Sequence, residues 1–452
     1  MTLRASLLRE LENPNLSVDS RAERCCEIAR EFENKGEYED ARKVLARYWR
    51  RIGEHPSVKG LERGIAGEVL LRVGVLTGII GGKNQITDSQ EHAKDLISES
   101  LTIFESRKHK KKIAEAQTEL ALCYWRTGEC SNARDLLEAA LSKLSLDSEL
   151  KGKAVVRLAI VELEETNLHK ALSILTEHAN LFDKIQSELL KGSYYVTRGN
   201  VLEKLWETET RTEYLDRALV DYAAASYHFE QAGHHCYLGN VENNLGLLYF
   251  TISRLQDAHL HLDRARRVLV SLKDVIGVAQ VDETRACVFL KQGRLIDAER
   301  VSRAAVRVQE KSGLHGLLAE ALITHGRVLA RLKRYSASLF AFRRAVDLSE
   351  LAGNLNRAAE AALAAFQEIG EHLAVIERDQ LLSGRPLGQN KLLMERELIK
   401  LALEQSQGRI TQAARSLGMS WQALAYALRT RHKELLKDRK PVRHRRQRRS
   451  EA

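Results

Sequence analysis

Between Leu245 and Ala345, small and bulky apolar positions recur at a spacing of 40 residues. Gly246, Ala286 and Gly326 form one column, and Tyr249, Phe289 and Leu329 form a second in the same register. Two more columns, Ala258, Ala298, Ser338 and Ala265, Ala305, Ala345, keep that offset. Small residues let two antiparallel helices approach closely, and the aromatic or aliphatic column fills the space beside them. The segments Thr251–Asp257 and Lys291–Asp297 between the apolar runs are polar. Each unit therefore reads as a helical hairpin, and the stack of units predicts an all-α fold, an α-solenoid with a period of about 40 residues.

Proline breaks helix interiors, so the four prolines mark boundaries. They stand at Pro14, Pro56, Pro386 and Pro441, and nothing between Ser57 and Arg385 forbids helix. Four segments are predicted. Residues 1–382 form the array, 383–390 a linker around Pro386, 391–436 a small domain, and 437–452 a basic tail. Trp206–Glu213 is polar and out of register with the repeat, which predicts a loop or a helix end there.

Composition adds a direction to this layout. With 44% hydrophobic and 29% charged residues the chain is that of a folded, water-soluble protein. The first residues lack the apolar run and small-residue cleavage site of a secretory signal, and a cytoplasmic location is expected. Val69–Gly82 is the most apolar stretch, but Arg72 interrupts it and it is shorter than the roughly 20 residues of a membrane helix, so a buried helix pair is expected there. The net charge of +10 is concentrated at one end: residues 391–452 hold 16 Lys or Arg against 6 Asp or Glu, and residues 1–390 hold 55 of each. A basic end on a neutral body points to an acidic partner such as nucleic acid.

Candidate catalytic chemistry is sparse. Cys25, Cys26, Cys123, Cys130, Cys236 and Cys287 include no CxxC and no Cys/His ligand spacing, so reduced thiols packed as small hydrophobes are expected, with no metal. Gly78-Ile-Ile-Gly-Gly-Lys-Asn84 superficially matches a phosphate-binding loop. Thr77 stands where that loop needs its first glycine and Asn84 where it needs Ser or Thr, so no nucleotide cofactor is expected. His234-His235 and the other histidines lack zinc-helix spacing, and Arg107–Lys112 reads as a solvated turn opening a helix. The chain is expected not to be an enzyme.

In the array, Leu245, Gly246, Tyr249, Ala258 and Ala265 fall at the small and aromatic signature positions of the tetratricopeptide repeat family, which the chain resembles. Ala121, Tyr124, Ala133, Leu137, Ala140 and Ala29, Phe32, Ala41, Leu45 repeat the spacing. The resemblance spans roughly residues 20–370 and departs from the family in its period of 40 in place of about 34 and in its missing closing proline. It implies a groove lined by the first helix of each hairpin and occupied by a protein or peptide partner. Asn243, Leu247, Glu283, Arg327 and Arg331 are the candidate groove residues.

The basic end carries Ile410-Thr-Gln-Ala-Ala-Arg-Ser-Leu-Gly-Met-Ser-Trp-Gln-Ala-Leu-Ala-Tyr-Ala-Leu-Arg429. A helix-turn-helix needs a small residue at the helix crossing, a glycine in the turn and apolar anchors on the second helix. Ala414, Gly418, and Leu417, Met419, Leu424 and Leu428 supply them, and Ser420 suits the N-cap of the second helix. Preceded by the amphipathic segment Leu392–Leu403 and by Gln407-Gly408, this block resembles the DNA-binding domain of the Fis family over about 391–433. The resemblance implies a bacterial, nucleoid-associated regulator of transcription that binds double-stranded DNA, often as a homodimer, with the last helix in the major groove.

Mapped onto this chain, the outward positions of that helix are Ser420, Trp421, Gln422, Ala425, Tyr426 and Arg429, with Arg431 and Lys433 beyond its end. Gln422 suits an adenine edge, whereas Arg429, Arg431 and Lys433 suit phosphates. Trp421 has a second reading as core, since Leu424 and Leu428 follow it at helical spacing. Ala423, Ala425 and Ala427 make the helix less polar than is usual for the family, and the arm Arg443–Arg449 would add charge-driven affinity. Two alternatives stay open: an interaction scaffold with a degenerate helix-turn-helix, or an RNA-binding protein acting through the arginine-rich tail.

Overall fold

The computed structural model describes residue 11, residues 16–84, 86–144 and 148–351, most of 357–368, and residues 396–438 with gaps that include Gly418. The predicted linker 383–390, the proline at 386 and the arm 443–449 lie outside the described residues. No strand occurs among the described residues, in agreement with the all-α expectation. The chain forms two compact units, Met1–Lys273 and Asp274–Ala452.

The first unit is a run of hairpins: α1 (Val18–Asn34) with α2 (Tyr38–Val44), α3 (Arg63–Lys83) with α4 (Ser89–Ser106), and α5 (Lys110–Arg126) with α6 (Cys130–Leu141). Then come α7 (Glu149–Glu164) with α8 (Leu168–Glu177) and the short α9 (Ala179–Lys184), α10 (Glu188–Glu209) with α11 (Thr212–Gln231), and α12 (His235–Thr251) with α13 (Leu255–Ser271). The second unit continues the pattern with α14 (Val275–Lys291) and α15 (Leu295–Ser312), then α16 (His315–Arg331) and α17 (Tyr335–Leu351). Helices α12, α14 and α16 start at His235, Val275 and His315, which is the 40-residue period read from the columns. The polar Trp206–Glu213 segment is the end of α10, a two-residue break and the start of α11.

The columns do the packing they were assigned. A Cβ on Gly246 would lie 2.5 Å from Leu262 Cγ, and one on Gly326 would lie 2.9 Å from the Phe342 ring, so the second helix of each hairpin sits directly on the glycine. Ala258, Ala265, Ala298, Ala305 and Ala345 are all buried. Each turn closes the same way: the N–H of Arg254, Arg294 and Arg334 donates to the carbonyl of Tyr249, Phe289 and Leu329 at 2.9 Å. This uses a left-handed residue at Ser253, Gly293 or Lys333, as the capping motif at a helix end requires. The arginine then stacks on the column aromatic, 4.9 Å from Tyr249 and 4.6 Å from Phe289.

The Val69–Gly82 stretch departs from expectation. It forms one continuous helix, α3, and not a helix pair. By length and composition α3 is long and apolar enough to cross a membrane, but 78% of its most apolar window is buried in the protein. Gly74 and Gly81 lie against the side chains of Ile97 and Ser89 of α4, which seat directly on the α3 backbone. The helix can thus be apolar all round because neighbouring helices cover it. The Gly78–Asn84 segment is the C-terminal half of this helix and its cap, where the N–H groups are spent on helical bonds, so it has no phosphate-binding loop.

Candidate nucleic-acid interface and partner faces

The small C-terminal domain is built from helical residues around 396–403, α18 (Ile410–Ser416), α19 (Trp421–Thr430) and a 3-10 turn (Lys433–Asp438). Ile399, Ala402, Leu403, Ala413, Ala414, Leu424, Ala427, Leu428 and Leu435 form its core, with Leu417 and Met419 packed against it. Gly408, at φ +78°, ends the first helix, and its N–H donates to Leu403 O at 2.7 Å. The N–H of Met419 donates to Ala414 O at 3.0 Å across the turn, and the Ser420 hydroxyl accepts from the Ala423 N–H at 3.2 Å, which is the predicted cap. Arg396 pairs with Glu434 at 3.2 Å and ties the first helix to the 3-10 turn.

With Leu424, Ala427 and Leu428 buried, the opposite side of α19 faces solvent. Ser420, Trp421, Gln422, Tyr426 and Arg429 are exposed on it, Ala425 is half-buried, and Arg431 and Lys433 are exposed just past its end. Trp421 is 54% and Tyr426 65% exposed, which removes the core reading of Trp421. The predicted DNA-facing residues therefore share one accessible surface.

The array's candidate groove residues separate between the two units. In the first, Leu247 is exposed on α12, and Asn243 one turn earlier is half-buried with its Oδ1 enclosed and without a hydrogen-bond partner. In the second, Glu283 of α14 accepts from Thr324 Oγ1 of α16 and from Cys287 Sγ at 3.8 Å. Burial lifts the Glu283 carboxyl to about 7, against the opposing pull of the Thr324 hydroxyl and in concert with the nearby Glu320 charge. Burial also pushes the Cys287 thiol up to about 12. Arg327 is half-buried on α16, and Arg331 pairs with Glu368 at 2.9 Å.

One feature escaped sequence reasoning. The first helices of the first unit carry a charged network: Arg72 of α3 is 2% exposed and donates to Glu33 of α1 at 2.7 Å and to Glu115 of α5 at 3.0 Å. Arg30 joins Glu115 at 2.7 Å, and Lys112 pairs with Glu68 and with Glu115. Glu119 of α5 holds Arg157 at 2.8 Å and Lys153, both from α7. Burial pushes the Glu119 carboxyl up, but Arg157 and Lys153 outweigh it and hold the group well below the usual carboxylate range. The Arg107–Lys112 run, expected to be a solvated turn, is a turn at Lys108 whose two ends are paired, Arg107 with Glu62 and Lys112 within the network. The signal available in the sequence was Arg72, a lone cation inside an apolar helix.

His234 and the cysteines behave as structural residues. The buried His234 ring accepts from the Tyr237 N–H and caps α12, and none of the six cysteines forms a disulfide. No metal-ligand cluster occurs among the described residues.

Residues 393–430 match the family described as bacterial regulatory protein, Fis family. No curated protein matches the chain by sequence. The fold is similar to the crystal structure of a Rap protein complexed with Competence and Sporulation Factor, at 14% identity and a TM-score of 0.53, covering 77% of this chain and 91% of that one. It is also similar to aspartyl phosphate phosphatase F from Bacillus subtilis, at 13% identity and a TM-score of 0.50, covering 79% and 90%. At these identities the likeness concerns the fold. The chain thus joins an array of the tetratricopeptide type to a C-terminal Fis-family helix-turn-helix.

Proposed function

We propose that this protein is a DNA-binding transcriptional regulator whose helical array binds a protein or peptide partner, and that it works by binding and not by catalysis. The observation that carries the reading is the exposed side of α19. Gln422 and Arg429 lie there above a buried Leu424–Ala427–Leu428 base, within the segment that matches the Fis family. A glutamine offers a donor and an acceptor to an adenine edge, worth roughly 1–3 kcal/mol of discrimination. Arg429, Arg431 and Lys433 supply phosphate contacts that fix position without reading sequence. Stacked hairpins support the second half of the reading, since they present a continuous face of first helices to a partner. The similar Rap protein was crystallised in complex with Competence and Sporulation Factor, a precedent for a bound partner on this fold. The bacterial cytoplasm is the setting that the reading implies.

The test is selection of random duplexes by the full chain across a salt series. A regulator enriches a defined sequence and loses affinity with a steep salt slope. Absence of duplex binding even at low salt would sink the proposal. Trp421 and Tyr426, both more than half exposed, favour a second reading in which α19 docks on a protein. In that case Trp421→Ala and Tyr426→Ala abolish partner capture while Gln422→Ala is silent.

A further inference from the structure

The array is neutral as a whole but not along its length. Residues 1–250 hold 34 Lys or Arg against 39 Asp or Glu, whereas residues 251–350 hold 18 against 11. The outer, second helices of the hairpins show the change. In the first unit α4 and α11 each carry four acidic residues against one Lys or Arg. In the second unit α15 carries Arg300, Arg303, Arg307 and Lys311, and all four are exposed. Steps of three, four and four residues set them in one row down the helix, about 16 Å long at 1.5 Å per residue.

The carboxylates nearby do not neutralise this row. Asp297 is shared by Arg294 at 2.7 Å and Arg300 at 3.0 Å, and the buried Glu299 is shared by Arg303 and Arg334. Glu310 is taken by Arg344 of α17 at 2.5 Å. The pairs Glu299 with Arg334 and Glu310 with Arg344 tie α17 alongside α15, and the exposed Arg343 of α17 adds a fifth cation to the outer surface. Among the described residues, Arg307, Lys311 and Arg343 pair with no carboxylate.

Like charges four residues apart repel and weaken a helix, so Arg303, Arg307 and Lys311 stand in a row that is unfavourable when bare and relieved by a polyanion. Arginine suits phosphate in particular, because its planar fork donates two parallel hydrogen bonds and is weakly hydrated. A docking protein would use Phe340 of α17 as its anchor, one exposed ring against five exposed cations. The row also belongs to the same compact unit as the helix-turn-helix.

We infer that the outer surface of α15 and α17 is a second DNA contact, holding the phosphate backbone of duplex that flanks the segment read by α19. This rests on the reading of the protein as DNA-binding and names a further part of the chain that holds the DNA.

The test uses the full chain and random duplexes of about 15 and about 40 base pairs, with affinity followed over a salt series. The slope of log affinity against log salt should be steeper on the long duplex by about two to three, one unit for each added phosphate contact. Arg307→Gln combined with Arg343→Gln should remove about two of that difference and leave the short duplex unchanged. The melting temperature should stay the same, because neither residue is in an ion pair. Lys110→Gln combined with Lys111→Gln removes equal charge from an exposed part of α5 and should alter neither slope. Equal wild-type slopes on the two duplexes overturn the inference while leaving DNA binding by α19 intact. Equal effects of the two double variants also overturn it, since net charge alone would then account for the slope. A long-duplex slope untouched by Arg307→Gln with Arg343→Gln overturns it in favour of a protein on this surface. Absence of binding to either duplex removes the reading of the protein as DNA-binding, and the inference with it.

Discussion

Gly36, in the turn of the first hairpin, lies against the imidazole of His234, at the junction of α11 and α12. A Cβ at residue 36 would come within 2.8 Å of Nε2. The hydroxyls of Tyr38 and Tyr237, two and three residues further on, are close enough to influence each other electrostatically. The first and sixth hairpins, nearly 200 residues apart, are therefore in contact, and the first unit closes on itself. This closure is what brings the first helices face to face around the charged interior.

Gly36→Ala should cost more than Gly128→Ala. Both glycines sit at positive φ, +75° and +80°, so each loses about 1 kcal/mol to backbone strain on substitution. Nothing lies within 4 Å of a Cβ at Gly128, whereas at Gly36 the His234 ring must move, adding about 1–2 kcal/mol. Chemical denaturation of the two variants measures the difference, and equal losses would mean that the closing contact contributes nothing.

Glu162 anchors the fourth hairpin. It is fully buried and accepts from Arg134 Nε at 2.6 Å, Lys170 at 2.9 Å and Asn167 Nδ2 at 2.8 Å. Burial pushes its carboxyl up, but these donors prevail and hold it at about 2. A folded-state pKa below the ordinary 4.5 contributes stability that is present above pH 4.5 and is lost as pH falls toward 2, a total of about 3 kcal/mol. Glu162→Gln should therefore destabilise the protein by about 2–4 kcal/mol at pH 7. The gap to the wild type should shrink below pH 4.5, and a pH-independent gap in denaturation would contradict the assignment.

Glu283 carries the opposite sign. Its carboxyl, raised to about 7 by burial, keeps its proton in the folded state between pH 4.5 and 7 while the unfolded chain releases it. Its contribution to stability is thus present below pH 4.5 and falls as pH rises through 7. Thr324, Cys287, Glu320 and Arg327 are the groups that face it. Glu283→Gln removes this dependence, so the melting temperature of the variant should gain on the wild type as pH rises from 4.5 to 8. A constant difference across that range would show that Glu283 ionises normally.

In the helix-turn-helix, Gln422→Ala and Arg431→Ala should part company. The first is expected to relax sequence preference by about tenfold while leaving binding to random duplex unchanged. The second should weaken specific and random duplexes alike and reduce the salt slope by about one. Equal loss on both duplexes for Gln422→Ala would count against base reading at that position.

The local elements were legible in the sequence because their causes are local. A glycine opposite a leucine or phenylalanine, a polar turn with one left-handed residue, and a serine cap each lie within one hairpin, so the columns through Gly246, Tyr249 and Ala258 and the block from Ile410 to Arg429 revealed both architectures. The reading of Trp421 stayed divided, because helical spacing from Leu424 is compatible with either side of the axis boundary. Only packing put it outside.

Everything that depended on distant partners was invisible. Arg157 and Glu119 look in sequence like the surface charges of separate amphipathic helices, and the apolar stretch around Arg72, expected to be a buried helix pair, is one buried helix. Tertiary structure turned these charges inward, since closing the first unit through Gly36 and His234 places first helices opposite one another. Sequence alone determined what each hairpin is and where the Fis-type domain lies. The fold decided which charges share a low-dielectric interior, because burial is set by residues that meet only once the chain has closed.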